Sequence, residues 1–270
     1  MTTISSPDDF AAADPVEVAM TRRRILHAAG AVGAGVLLSG LAVDRAVAAT
    51  SKKTTKKVAV SKAAACVPAP SETGGPFPGD GTNGVNVLTE KAIVRRDIRP
   101  SFGSMTGVAA GVPLTINLFL RKASSGCAAL PNAAVYIWHC DAIGQYSLYS
   151  IETENYLRGV QVADAKGALS FVTSFPGAYP GRWPHVHFEV YADLASASSG
   201  RNAIKTSQLA LPGAACKAVY AESGYDGSAA SLASTPLARD SQFRDGWATQ
   251  MPTVSGDAKR GFSANLVVNV

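Results

Sequence analysis

The chain has 270 residues, 47% of them hydrophobic and 17% charged, with 25 Gly and 15 Pro, a balance that excludes a coiled coil or a disordered chain and suits a turn-rich globular protein. The formal charge of +5 points at first to an anionic partner, but residues 49–62 alone hold five lysines and no acid. Residues 63–270 carry 16 basic against 15 acidic side chains, so the body of the chain is nearly neutral and offers no basis for a nucleic-acid groove.

In chain order, residues 1–48 read as an export signal. Arg22, Arg23 and Arg24 precede a Gly- and Ala-rich apolar run over 28–43, and Ala46-Val47-Ala48 supplies the small residues a signal peptidase accepts. Paired arginines ahead of a mildly apolar segment point to twin-arginine export. The run is shorter than the roughly 20 apolar residues of a membrane span, so a secreted protein with no membrane attachment after cleavage is expected. Residues 49–65, with Lys52, Lys53, Lys56, Lys57 and Lys62, read as a flexible basic linker, a solvated spacer or a contact to an acidic cell-wall polymer.

Residues 66–270 are expected to form a single catalytic domain. The Gly- and Pro-rich stretch 68–84 cannot be helical. After it, short β-rich runs over 112–120, 133–140, 169–173, 185–191, 207–211 and 262–270 lie between turn residues, the pattern of an all-β, antiparallel sandwich with long irregular loops. Only 214–222 has a weak helical period. Four cysteines fall here, Cys66, Cys127, Cys140 and Cys216. An even count in an oxidising compartment predicts two disulfides, in any of three pairings, and the absence of a CxxC element argues against a zinc cluster.

Only three histidines lie in this part: His139, His185 and His187. Alternate side chains on a strand share a face, so His185 and His187 are placed to share a metal ion. The same pair would serve as a polar sheet edge, and Glu189, two residues further on, would suit a zinc hydrolase. The glycine-punctuated loop 176–182 brings Tyr179 and Arg182 beside this strand. A phenol, with a reference pKa near 10, is a poor ligand until a hard trivalent cation displaces its proton. Two imidazoles and two phenolates would leave iron(III) with a net charge of about +1, open to water or a dianionic substrate, whereas softer metals gain less from phenolate oxygen. There are eight tyrosines, and composition does not choose among them; Tyr136, Tyr149, Tyr156, Tyr191, Tyr220 and Tyr225 suit packing or the surface.

Five segments carry a resemblance. They are Ser71-Glu72-Thr73-Gly74-Gly75-Pro76-Phe77, the run 134–147 with Trp138, Gly144, Tyr146 and Ser147, the run 171–179 ending in Tyr179, Gly181-Arg182-Trp183-Pro184-His185-Val186-His187-Phe188, and Thr206-Ser207-Gln208-Leu209. Over about 70–212 the chain resembles the intradiol ring-cleavage dioxygenases, the family of catechol 1,2-dioxygenase and protocatechuate 3,4-dioxygenase. The resemblance implies one non-haem Fe(III) per chain on Tyr146, Tyr179, His185 and His187, with Tyr179 the ligand that leaves when catechol binds. It makes Arg182 catalytic, Gly75 and Pro76 a substrate wall, and Gln208 the side chain that orients a substrate oxygen; His139 is not a ligand. It further implies intradiol cleavage of a catechol-type diol by O2 to a muconate-type dicarboxylate. The alternative is a secreted, non-catalytic β-sandwich binding module, which should have lost some of the four ligands or the arginine. Residues 223–270 fall outside the strongest likeness, and little of the N-terminal helical dimerisation region of catechol 1,2-dioxygenases is present.

Overall fold

The computed structural model describes residues 66–270; the signal region expected over 1–48 and the linker over 49–65 lie outside them. Two β-sheets face each other across an apolar core. One contains β1 (Pro113–Lys122), β5 (Ala168–Ser174), β9 (Gly261–Asn269), β8 (Thr253–Asp257) and the short β2 (Ala128–Ala129), with β1 between β5 and β9. The other has the order β4 (Arg158–Val162), β3 (Ala134–Trp138), β6 (His185–Tyr191), β7 (Lys205–Ala210). Every pairing is antiparallel except β1 with β9.

The period of two explains the assembly. Along β1, Leu114, Ile116, Leu118 and Leu120 are buried, and each pairs in register with an inward residue of β9, namely Phe262, Ala264, Leu266 and Val268. Across the core, Val135 and Ile137 of β3 and Val186, Phe188 and Val190 of β6 present their apolar faces. Burying one such side chain contributes about 1.5–3 kcal/mol, so the alternation sets which face of each strand looks inward. Residues 223–270, outside the strongest sequence likeness, thus complete the sandwich through β8 and β9.

The opposite face of the four-stranded sheet is covered as well. Ala134, Tyr136, Trp138 and Cys140 pack there with Val87, Leu88, Ile93, Phe102, Tyr146 and Tyr191. As a result β6 is buried at all seven positions, and its His185, His187, Glu189 and Tyr191 face this second cluster rather than water.

Two features depart from the sequence expectation. Strands β4 and β8 were not anticipated, because Arg158-Gly159-Val160-Gln161-Val162 and Thr253-Val254-Ser255-Gly256-Asp257 lack clear apolar alternation. Gly159 is required by proximity: a Cβ there would lie 2.4 Å from Ile98 Cγ2. Two short helices, α1 (Gly213–Val219) and α2 (Ser228–Ser234), flank the sheets; only α1 overlaps the weak helical period.

The second departure concerns sulfur. One disulfide forms, Cys66–Cys127, rather than two, while Cys140 and Cys216 are free and buried. Cys140 belongs to the outer cluster and Cys216 to the inter-sheet core, and each buried thiol acts as a small apolar group. Cys140 Sγ donates to the Gly177 carbonyl at 3.6 Å and Cys216 Sγ to that of Leu211 at 3.7 Å. The disulfide spans a separation of 61 residues. It ties the start of the described chain to the turn after β1, beside the backbone bond from Ala69 N to the Asn269 carbonyl at 2.9 Å.

Unfolding without reductant should expose two titratable thiols per chain, and four would contradict this pairing. The double replacement Cys66→Ser with Cys127→Ser should lower the unfolding free energy by about 2–4 kcal/mol in urea titrations.

Candidate active site

The register of the four-stranded sheet builds the site one row at a time. Trp138 on β3 pairs with His187 on β6 and with Arg158 on β4, and His187 pairs in turn with Gln208 on β7. Arg158, Trp138, His187 and Gln208 therefore stand side by side on the outer face. The Trp138 and His187 rings stack with centroids 4.8 Å apart and planes at 4°, which fixes the imidazole plane.

Two loops bring the phenols to this row. After β3 the chain turns through Gly144 at φ +83°, where a Cβ would lie 3.2 Å from that of Tyr179; the Gly allows Tyr146 and Tyr179 to approach. Tyr146 is 2% exposed, whereas Tyr179 is half-buried. Its oxygen lies 3.3 Å from that of Tyr146 and 3.1 Å from His185 Nε2, and the two imidazole Nε2 atoms are 3.1 Å apart. Among the described residues, these four atoms have no hydrogen-bond partners but one another.

The tautomers show what this convergence means. His185 Nδ1 lies 2.5 Å from the Trp183 carbonyl, so it carries the proton and Nε2 presents a lone pair. His187 Nδ1 faces the Thr73 carbonyl without reaching full hydrogen-bond geometry, and the same assignment puts a second lone pair at its Nε2. With the proton placed on Nδ1 of both rings, the two Nε2 lone pairs, 3.1 Å apart, are disposed to share a cation. Ring N–H groups turned back to carbonyls are how metal-ligating histidines are held.

Burial keeps the donors neutral in the protein alone. It drives His185 down to about 3, with the nearby Arg182 charge adding to the effect, and His187 well below the imidazole range. It also raises Tyr179 to about 12 and Tyr146 well above the ordinary phenol value. Only a strongly Lewis-acidic ion would take both phenols as phenolates. Among the described residues no three His, Cys, Asp or Glu side chains come together as a metal cluster. Glu189, which would suit zinc, instead accepts from Tyr191 Oη at 2.5 Å. The donor set fits a hard trivalent cation such as Fe(III).

The remaining expected residues surround these donors. Gly75, at φ +71°, places its α-carbon so that a Cβ would lie 3.4 Å from His187 Cε1; Pro76 follows it, exposed. Arg182 Nη2 donates to Gln208 Oε1 at 2.5 Å, and Gln208 Nε2 donates to the Thr73 carbonyl at 2.8 Å. Gln208 is fully buried and both ends of its amide are engaged, so in this arrangement it holds Arg182 rather than reaching outward. Arg182 Nε is also paired with the Asp240 carboxylate at 3.0 Å.

His139 lies elsewhere. It continues the inward alternation of Val135 and Ile137, and its Nδ1 donates to the Cys140 carbonyl at 2.7 Å while Nε2 accepts from Thr173 Oγ1 at 2.7 Å. Both nitrogens are occupied, so it is a satisfied core residue.

Arg158 carries no functional expectation in the sequence, yet it organises the site. It is fully buried and donates to the carbonyls of Phe77, Pro78 and Ser147 at 3.0, 2.8 and 2.8 Å. This clamps the loop of Tyr146 to the segment of Gly75 and Pro76. An arginine opening a short strand gives no local signal of that role, because its acceptors lie up to 81 residues away.

No protein-family model matches the chain, and no curated protein does. Solved structures do match. The fold is that of the intradiol ring-cleavage dioxygenases. An intradiol ring-cleavage dioxygenase from Tetranychus urticae is 22% identical, with 76% of this chain and 94% of that one covered and a TM-score of 0.58. A second structure, also of a dioxygenase, has the same identity and coverage with a TM-score of 0.57.

His139 offers a test of burial through pH. Burial lowers its folded value from 6.5 to about 4, so between those values the unfolded chain binds more protons than the folded one. The stability from keeping this ring neutral is complete above pH 6.5 and is lost as pH falls toward 4, at up to about 1.4 kcal/mol per pH unit. His139→Gln should therefore show a shallower fall of unfolding free energy across that window. Parallel profiles for the two proteins would count against the assignment.

Proposed function

We propose that this protein is a secreted non-haem iron(III) dioxygenase that cleaves catechol-type diols between the two hydroxyl-bearing carbons, giving muconate-type dicarboxylates. The observation that carries the reading is the convergence of two phenol oxygens and two imidazole Nε2 atoms, linked one to the next by contacts of 3.1–3.3 Å. Tyr146, Tyr179, His185 and His187 would hold the iron. When bound, Fe(III) supplies the Lewis acidity and redox access that let a catechol react with dioxygen.

The reaction needs no external reductant. One carbon–carbon bond breaks, each of its carbons gains one oxygen atom from O2, and the two hydroxyl protons end on the product carboxyl groups. The protein's own residues divide the remaining work. Tyr179, half-buried where Tyr146 is not, is the phenol with room to turn away; held as a phenolate by the iron, its Oη would take up one hydroxyl proton from the arriving diol as it leaves. Tyr146, backed by Phe77 with ring centroids 5.0 Å apart, stays in place. Gly75, against His187, leaves space for a flat ring that a side chain would fill. Arg182 carries the positive charge next to the donors and stabilises negative charge developing on the ring; a preorganised group of this kind contributes about 3–4 kcal/mol.

Secretion is supported by the layout of residues 1–48, which lie outside the described residues, and by the Cys66–Cys127 disulfide, a bond typical of oxidising compartments. Replacing Arg22 and Arg23 by Lys should leave the precursor inside an expressing cell that has a twin-arginine pathway. Undiminished export of that variant would remove the route from the proposal.

Purified protein should contain one iron per chain and show a phenolate-to-iron absorption band, and it should consume O2 with at least one diol from a panel of catechol, protocatechuate, hydroxyquinol and lignin-derived diols. Tyr146→Phe should bleach or shift that band and abolish uptake. A colourless wild-type protein holding stoichiometric zinc would end this reading.

A further inference from the structure

Asp240 stands outside the segments that carry the sequence resemblance, yet it is in direct contact with the residues next to the candidate metal ligands. Its side chain is fully buried. Carboxylate Oδ2 accepts from Arg182 Nε at 3.0 Å and from the Trp183 backbone N–H at 2.6 Å, and Oδ1 accepts from the Gln242 N–H at 2.8 Å. The main chain of Asp240 is itself held, since its N–H donates to the Leu237 carbonyl and its carbonyl accepts from Phe243 and Arg244. The carboxylate is thus a fixed post.

We propose that Asp240 is a positioning residue for Arg182, an inference that rests on the dioxygenase reading above. A guanidinium is a planar fork, and holding two of its edges determines where the third points. Asp240 takes Nε and Gln208 takes Nη2. Among the described residues Nη1 has no protein partner, so it is the edge left for substrate. Gln208 is anchored to Thr73, whose carbonyl also faces His187. One connected path therefore runs from Asp240 through Arg182 and Gln208 to the segment beside a metal ligand. The second contact of Oδ2, to Trp183 N–H, fixes the turn between Arg182 and His185. Without Asp240 the arginine keeps its charge but loses its direction, and a misplacement on the order of 1 Å costs about a hundredfold in rate.

The test is a double-mutant cycle on the iron-loaded full-length enzyme. Asp240→Asn keeps the shape and removes the charge. Iron content and the absorption band should be unchanged, KM for catechol should stay within about threefold, and kcat should fall by about tenfold or more. In an Arg182→Ala background the same replacement should cost less than about twofold further, because a residue that acts only through Arg182 has nothing left to position. Unfolding in urea, a readout independent of turnover, should show the same coupling between the two positions. If Asp240→Asn does not fold, Asp240→Glu, which keeps the charge but moves the carboxylate by one methylene, should give the kcat loss with iron still bound. Multiplicative losses in the cycle, or a stability loss with unchanged kcat, would overturn the inference while leaving the wild-type enzyme active. A wild type that cleaves no diol would instead remove the underlying reading.

Discussion

The pairing register of β3, β6 and β7 is the constraint from which the site follows. A strand alternates its side chains between two faces, and β6 is buried on both. One face, Val186, Phe188 and Val190, is held by the inter-sheet core. That contact leaves His185 and His187 no orientation except outward, into the second cluster. A slip of one residue would exchange these sets and place two imidazoles in the apolar core. The same register aligns Trp138, His187 and Gln208 in one row, so the ring that backs an imidazole and the amide that holds the arginine arrive together.

Around that row, buried polar groups are held by hydrogen bonds from distant parts of the chain. Arg158 has no carboxylate partner among the described residues and is satisfied by carbonyls of the loops it joins. Asp240 serves the same purpose on the other side, with a charge as partner. Leaving one member of the buried Arg182–Asp240 pair unmatched costs about 3–5 kcal/mol, while Arg158 ties the loop of Tyr146 to the segment after Gly75 and Pro76. The four converging donors satisfy only one another, and Trp138 Nε1 in the same row has no partner among the described residues. That local frustration is the signature expected of a site shaped for a cation.

Much of this was legible in the residues themselves. The HxH pair on a strand, the glycine-punctuated loop before it and the turn ahead of Tyr146 are local patterns, and local geometry decides which way their side chains point. The six β-rich runs were legible for the same reason, because burial of one face imposes a period of two. Other features were not. Arg158 and Asp240 have no neighbours in sequence that reveal their roles. Glu189 has the spacing of a ligand but is taken by Tyr191. An even number of cysteines suggested two disulfides, and only the fold shows that Cys140 and Cys216 end up as free thiols in different clusters.

The chemical inventory can be read residue by residue: two phenols, two imidazoles and a guanidinium, each on an element whose local conformation follows from short-range sterics and alternation. The tertiary structure alone decided what each polar atom is bonded to. Those partners lie tens of residues apart, and they meet only after apolar burial has brought the two sheets and their loops together.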